Sequence, residues 1–257
     1  MSAVPGHGAA LHTILQRLRG YVGPVPTPKE ILAWSTHAQV EVRRAVAASR
    51  QLPLAVRRQL LTDPDRDVQR TAAWGWPRDA RALLRMIEDG PESVAMGAAE
   101  HPAAGVAHWE AAARRPEPAI RAAVAWRPLA NAQVRWALTR ADEATVRFWA
   151  AGASWRTPAM ARHLATLEDP LIDGVLIERG RLELRTVITL AARFAAGPDS
   201  LARANQLALA VRRLQRLRAL HPRHGITAED LLPLLTSRDA AVRVTGLRLV
   251  GLLPRRG

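Results

Sequence analysis

The stretch VEVRRAVAASRQLP, residues 40–53, carries the pattern that decides the fold. Val42 and Val46 are four residues apart and therefore lie on one face of a helix. Pro53 follows and ends the pattern, because proline is poorly tolerated inside a helix. The stretch predicts a short amphipathic helix that ends in a proline-bearing turn.

The same pattern returns every 26 residues along the chain. The reference position is Val or Ile in six successive units: Val42, Val68, Val94, Ile120, Val146 and Ile172. The fifth residue after it is alanine in the first five units: Ala47, Ala73, Ala99, Ala125 and Ala151. A second apolar set about 14 and 18 residues after it marks a second helix, and prolines separate the two helices. A two-helix unit is too small to bury its own apolar faces, so the sequence predicts an all-α fold, an α-solenoid of stacked two-helix repeats with a 26-residue period.

The repeat pattern weakens near residue 172. Asp169 and Pro170 start another unit, but Gly174 occupies the reference position counted from that proline. Residues 182–195, 199–220, 226–236 and 239–252 then have the patterns of longer helices that cap the solenoid. We therefore predict three segments: an N-terminal segment or cap over 1–26, the repeats over 27–180, and a basic C-terminal helical region over 181–257 that packs on the solenoid.

Three units resemble a known repeat family. VEVRRAVAASRQLP (40–53), RDVQRTAAW (66–74) and PEPAIRAAVAWRP (116–128) are similar to the leucine-rich repeat variant, a bacterial relative of HEAT-like α-solenoids. The resemblance covers residues 27–180 and implies an architecture without implying an activity. The period here is slightly longer than is usual in that family, which predicts a fuller, more HEAT-like second helix. The family's cysteine-ligated iron–sulfur cluster does not transfer, because this chain has no cysteine.

Composition excludes several classes of protein. With 48% hydrophobic and 23% charged residues, the 257-residue chain has the composition of a packed globular protein. Zero cysteines exclude disulfides and thiolate catalysis, and the eight histidines are scattered, so we predict no metal and no cofactor. No apolar run approaches the roughly 20 residues that span a bilayer, and residues 1–10 lack the pattern of a signal peptide. The sequence predicts a soluble, cytoplasmic protein with no membrane partner.

Positive charge is concentrated towards the C-terminus. Of the net charge of +14, residues 181–257 contribute +9, from 14 arginines and 5 acidic residues. No acidic residue lies between Asp199 and Glu229, and Leu207, Val211, Leu214 and Leu217 form the apolar face of a helix there. The outward arginines predict phosphate binding, although a solvated basic face without a ligand would have the same pattern. The candidate nucleic-acid-binding residues of this region are Arg203, Arg212, Arg213, Arg216, Arg218 and Arg223.

Weaker candidates lie in the repeats. Arg43, Arg121 and Arg147 follow the reference position and predict a basic row along a groove, or partners for acidic residues in the turns. Trp109 and Trp136 are candidates for stacking on bases, because aromatic rings beside arginines bind them; core packing is the alternative.

The function predicted from these features is binding without catalysis. The partner is nucleic acid or an acidic protein surface, and the oligomeric state stays open. A protein–protein interaction scaffold is one alternative. HEAT-like solenoids also include DNA glycosylases that remove alkylated bases, for which Glu110, Asp142 and Glu143 are the candidate carboxylates because they lie near tryptophans. The chain has no phosphate-binding glycine loop, no H-E-x-x-H and no G-x-S-x-G.

Overall fold

A computed structural model describes residues 13–14, 16–18, 26–49, 52–179, 182–196, 201–217, 227–237 and 239–250. Within these ranges the chain forms helices and turns and no strand, so the predicted all-α class is confirmed. The first helices are α1 (Pro28–Ser35), α2 (Val40–Ala47), α3 (Leu54–Leu60), α4 (Arg66–Trp74), α5 (Ala80–Asp89), α6 (Glu92–Ala99), α7 (Val106–Ala113), α8 (Pro118–Ala125) and α9 (Ala132–Thr139). They are followed by α10 (Ala144–Ala151), α11 (Pro158–Ala165), α12 (Pro170–Arg179), α13 (Leu184–Ala196), α14 (Leu201–Leu217), α15 (Ala228–Leu235) and α16 (Ala240–Val250).

Two compact units divide the chain. Unit 1 is Met1–Val134 and unit 2 is Arg135–Gly257, with the boundary inside α9. Residues 19–25 and 180–181, beside the predicted segment boundaries, lie outside the described residues. The segments predicted from the sequence therefore stay predictions.

The residues of the 26-residue column are buried. The exposed fraction is 0% for Val42, Val68, Ile120 and Val146, 1% for Ile172 and 3% for Val94. The alanines five residues later are buried to the same degree. In unit 1, α2 packs on α4, α4 on α6 and α6 on α8, and the small alanine side chains let neighbouring helices approach closely. The regular spacing of apolar residues thus places one core residue in each of these helices.

Short polar side chains fix where several helices begin. Asp65 Oδ1 accepts a hydrogen bond from the backbone N–H of Val68 at 3.0 Å, at the start of α4. At the start of α5, Asp79 Oδ1 accepts from the N–H groups of Arg81 and Ala82. At the start of α11, the Thr157 hydroxyl accepts from the N–H of Met160. These bonds satisfy N–H groups that have no partner within the first helical turn.

Gly97 permits the closest approach between two helices of unit 1. A Cβ atom at Gly97 would lie 2.2 Å from the backbone oxygen of Arg70 and 3.0 Å from the Cβ of Ala73. Both neighbours belong to α4, so any side chain larger than hydrogen would push α6 away from it. Glycine is required here for the contact distance and not for an unusual backbone conformation.

Arg57 joins the carboxyl end of α2 to that of α4. Its side chain is buried, and Nη1 donates to the carbonyl oxygens of Ala47 (3.1 Å) and Ala72 (3.4 Å), while Nη2 donates to that of Ser49 (2.8 Å). These oxygens lie at the carboxyl ends of α2 and α4, which carry partial negative charge. Burial lowers the pKa of Arg57, yet a guanidinium stays charged in proteins. Backbone carbonyls, and no carboxylate of the described residues, are therefore the hydrogen-bond partners of Arg57.

The longer helices of unit 2 enclose a core of their own. Leu176, Leu190 and Leu214, from α12, α13 and α14, are fully buried in it. Asp173 is also fully buried, and it is paired with Arg193. Burial raises the pKa of Asp173, and the hydrogen bond from Arg193 opposes that rise. Arg193 therefore pairs with one oxygen of this carboxylate, Oδ2, while Oδ1 is buried without a hydrogen-bond partner among the described residues.

The stability of α1 depends on pH through Glu30, whose pKa is lowered. Hydrogen bonds from Arg17 and Thr27 lower the pKa of Glu30 from 4.5 to about 2. Because the folded-state pKa lies below the unfolded value, ionised Glu30 stabilises α1 above about pH 4.5, and this contribution is lost as the pH falls towards about 2. We expect Arg17→Gln to raise the pKa of Glu30, measured by a ¹³C NMR titration of its carboxyl group. An unchanged pKa in the variant would contradict this role of Arg17.

Candidate functional site

Helix α14 places arginines at the surface of unit 2. Leu207, Val211 and Leu214 face the core, as the amphipathic pattern predicts, and Arg212 and Arg216 are exposed. Arg213 lies between these faces and is half-buried. Its Nη2 donates to the backbone oxygen of Glu178, at the end of α12, at 2.9 Å.

Arg156 reaches the same region from the turn between α10 and α11. Its Nε donates to the backbone oxygen of Ala151, the last residue of α10, at 2.7 Å. Burial lowers the pKa of Arg156, and the charge of Arg213 lowers it further. Burial likewise lowers the pKa of Arg213, and the charge of Arg216 adds to that effect. The charge of Arg213 thus acts on Arg156, and the charge of Arg216 acts on Arg213; these three residues are named here the arginine cluster.

One donor of the arginine cluster is buried without a protein partner. Arg156 Nη1 is shielded from solvent and makes no hydrogen bond. Neither Arg156 nor Arg216 forms an ion pair with a carboxylate of the described residues. Buried donors are nearly always satisfied, and leaving one unpaired costs roughly 1–3 kcal/mol. The arrangement provides strong donors and positive charge for an anionic ligand.

Arg179 adds a further cation beside the arginine cluster. It is the last residue of α12 and is exposed. Its Cδ lies 3.7 Å from where a Cβ atom of Gly152 would stand, and Gly152 follows the carbonyl that Arg156 contacts. Three arginines, Arg156, Arg179 and Arg213, thus lie at the carboxyl ends of α10 and α12, and part of their role is to neutralise the two helix ends.

Other arginines of unit 2 are paired with acids. Arg162 pairs with Glu183, and Arg185 pairs with Asp230 at 3.2 Å. The sequence alone does not distinguish these paired arginines from those of the arginine cluster, because the acids that pair with Arg162 and Arg185 lie 21 and 45 residues away along the chain.

The repeat arginines that follow the reference position have structural contacts. Arg43 forms a two-point ion pair with Asp63 (2.8 and 3.0 Å), and its Nη1 donates to the carbonyl of His37 at 2.8 Å. Arg147 Nη1 donates to the carbonyls of Ala141 (2.7 Å) and Asp142 (2.6 Å). These bonds tie each first helix to the turn before it, as Gln69 does with the carbonyl of Asp63 at 2.6 Å.

The structure brings together only some of the predicted binding residues. Arg212, Arg213 and Arg216 share the surface of α14, and Arg121 is half-buried on α8. The side chain of Arg203 and all of Arg218 and Arg223 lie outside the described residues. Arg156 and Arg179 were not predicted, and no local motif marks them, because the packing of α10, α12 and α14 brings them to the site.

The two predicted stacking tryptophans are half-buried. Trp109 Nε1 donates to the carbonyl of Ala99 at 3.2 Å, and the guanidinium of Arg127 lies 5.4 Å from its ring centre. The ring centre of Trp136 lies 4.6 Å from the guanidinium of Arg140 and 6.1 Å from the ring of His163, which is edge-on. Both tryptophans therefore contact a cation and also take part in packing.

The candidate carboxylates of the glycosylase alternative occupy structural positions. Glu110 Oε1 accepts hydrogen bonds from the backbone N–H groups of Ala130 (3.0 Å) and Asn131 (2.7 Å), just before α9. Asp142 is exposed, and Glu143 immediately precedes α10. The buried Asp173 is paired with Arg193. None of these four acids lines either groove found on unit 1, one of about 280 Å³ between α2, α4 and α6 and one of about 490 Å³ beside α7.

The chain was compared with protein families, curated proteins and solved structures. No family model, curated protein or solved structure matches the chain. Among the described helices, none combines the length and apolarity needed to cross a bilayer. Nowhere in the described part of the chain do three or more His, Asp or Glu side chains gather as metal ligands would.

Proposed function

We propose that this chain binds the phosphate backbone of nucleic acid through the arginine cluster of unit 2, without catalysis. The observation that carries the proposal is the buried, unpartnered Nη1 of Arg156, whose side chain also feels the charge of Arg213, which in turn feels that of Arg216. A phosphate oxygen is a strong acceptor that satisfies such a donor, and guanidinium groups bind phosphate in a two-point geometry. Phosphate also removes the repulsion among the clustered arginines.

The overall charge supports a polyanionic partner. A net charge of +14 raises the rate at which polyanions approach, and more than half of that charge lies in residues 181–257. An acidic protein surface has the same sign of charge but a lower charge density than a chain of phosphates. Nucleic acid is therefore the partner that we favour over an acidic protein.

A protein-interaction scaffold is the second candidate. The groove of about 280 Å³ on unit 1 has a mixed lining: Arg44, Asp67, Arg70, Thr71, Trp74 and Glu100. Its arginines pair with its acids, Arg44 with Asp67 and Arg70 with Glu100, and Trp74 is 47% exposed. An exposed tryptophan among charged residues is typical of a protein-binding surface. This groove supports the scaffold, and the arginine cluster supports nucleic-acid binding.

We also propose that the two-helix repeats stack in solenoid fashion within each unit. The packing of α2 on α4 and of α4 on α6, with a buried reference residue in each helix, supports this arrangement in unit 1. Three further points stay predictions. They are that one solenoid with a 26-residue period covers residues 27–180, that the repeats are like the leucine-rich repeat variant, and that the protein is cytoplasmic.

Titration of labelled oligonucleotides tests the proposed function. Fluorescence anisotropy with duplex DNA, single-stranded DNA and RNA is measured at 50 and 200 mM salt. We expect binding at the lower salt and a loss of affinity of roughly tenfold or more at the higher, because bound phosphates release counterions. Absence of binding at the lower salt would overturn the proposal. Release of an alkylated base from damaged DNA would support the glycosylase alternative instead.

A further inference from the structure

An exposed tryptophan in unit 1 stands against an arginine. Trp126, the residue that follows α8, is 48% exposed, and the guanidinium carbon of Arg127 lies 4.2 Å from its ring centre. The same guanidinium lies 5.4 Å from the ring centre of Trp109. Arg127 is therefore held close to two indole rings.

No carboxylate explains the position of Arg127. Among the described residues it forms no ion pair, and its Nε is buried without a hydrogen-bond partner. The rings hold the cation by attraction between its charge and their faces. The indole N–H of Trp109 is already bound to the carbonyl of Ala99, so this ring is fixed and supports Arg127 from the protein side.

Trp74 provides a comparison within the same unit. It lies 52 residues before Trp126, two periods of the repeat, at the end of α4, and it is 47% exposed. The residue after it is Gly75 rather than an arginine. The two tryptophans thus share exposure and place in the repeat, and only Trp126 has a guanidinium over its ring.

We propose that Trp126 and Arg127 form a stacking site for an unpaired base of a single-stranded nucleic acid. This inference rests on the proposed function and adds the strand class of the ligand. The exposed ring of Trp126 receives the base, and Arg127 supplies positive charge for the adjacent phosphate. In a duplex both faces of each internal base are already stacked on its neighbours, so only an unpaired base is free to bind. Arg127 covers one face of the ring, so the base stacks on the other face, and a cationic ligand is disfavoured because Arg127 already supplies positive charge there.

The test compares Trp126→Ala with Trp74→Ala and the wild-type chain. Affinity for a fluorescent single-stranded oligonucleotide is measured by anisotropy at one salt concentration, and thermal unfolding confirms that both variants fold. We expect Trp126→Ala to weaken binding about tenfold and Trp74→Ala to leave it within about twofold. Binding to duplex DNA should change little in either variant.

An abasic oligonucleotide of the same length separates stacking from charge. It keeps the phosphates and lacks the bases, so wild type and Trp126→Ala should bind it equally. Suppose that the wild type binds single strands and that Trp126→Ala and Trp74→Ala bind them with equal affinity. The stacking site is then wrong, while the proposed function stands. If wild type binds no nucleic acid, the proposed function fails and this inference fails with it.

Discussion

Gly97→Val should lower the free energy of unfolding of unit 1 by about 3 kcal/mol, because overpacking against a rigid neighbour costs about that much. The Cβ atom alone would stand 2.2 Å from the backbone oxygen of Arg70, and a backbone atom has no rotamer by which to move aside. Valine forms helix only slightly better than glycine, so the gain in helix propensity does not offset the clash. Helices α4 and α6 must therefore separate.

Thermal unfolding followed by circular dichroism measures this effect. The midpoint for unit 1 should fall by about 10 °C for a change of this size. Gly105→Ser is the matched control, since nothing lies within 4 Å of a Cβ atom at Gly105 and serine is favoured at the residue before a helix. A Gly97→Val variant as stable as the control would show that α4 and α6 do not pack as closely as described.

Replacement of the arginine cluster by glutamine should weaken nucleic-acid binding about 100-fold at 0.1 M salt, as expected for the loss of three phosphate contacts. The change is Arg156→Gln, Arg213→Gln and Arg216→Gln in one chain. Glutamine keeps an amide donor for the carbonyls that Arg156 and Arg213 now contact, which limits the loss of stability. Anisotropy titration measures the affinity, and circular dichroism confirms the fold.

A second triple variant controls for net charge. Arg44, Arg66 and Arg70 lie on α2 and α4, and each is near an acidic residue of unit 1: Asp67, Glu92 and Glu100. Their replacement by glutamine removes the same three charges from arginines that already have partners. We expect a loss of affinity of only a few fold, since exposed ion pairs contribute little and long-range attraction is screened by salt. An equal loss in both variants would assign the binding to overall charge.

The helices were predictable because burial of apolar residues dominates their positions. Each residue of the column from Val42 to Ile172 is buried in a helix, and the alanines five positions later are buried as well. The long C-terminal helices were also predicted: residues 182–195 and 199–220 correspond to α13 (Leu184–Ala196) and α14 (Leu201–Leu217). The spacing of apolar residues is visible in each short stretch of sequence, so the helices could be predicted from the sequence alone.

The candidate site was only partly predictable. The acid-free stretch around α14 identified Arg212, Arg213 and Arg216, because a lack of carboxylates is visible in the sequence. Arg156 was missed because its place beside Arg213 depends on the packing of helices far apart in sequence. Arg43 was predicted either for a basic row or as the partner of an acidic residue in a turn, and its ion pair with Asp63 matches the second alternative.

The tryptophans show the same limit. Trp109 and Trp136 were selected because they lie near charged residues in the sequence, and each does contact a guanidinium. The ring with the most exposed surface beside an arginine is instead that of Trp126. Its exposure depends on its place at the end of α8, which residue type alone does not determine.

The salt dependence of binding tests whether phosphates bind at the arginine cluster of unit 2, as we propose. The affinity for a single-stranded oligonucleotide is measured over a range of salt concentrations for the wild-type chain and for both triple variants. We expect the slope of log affinity against log salt to become shallower by about 2 in the arginine-cluster variant, because three phosphate contacts are lost, and to stay unchanged in the unit 1 control. Equal slopes in all three proteins would contradict the claim.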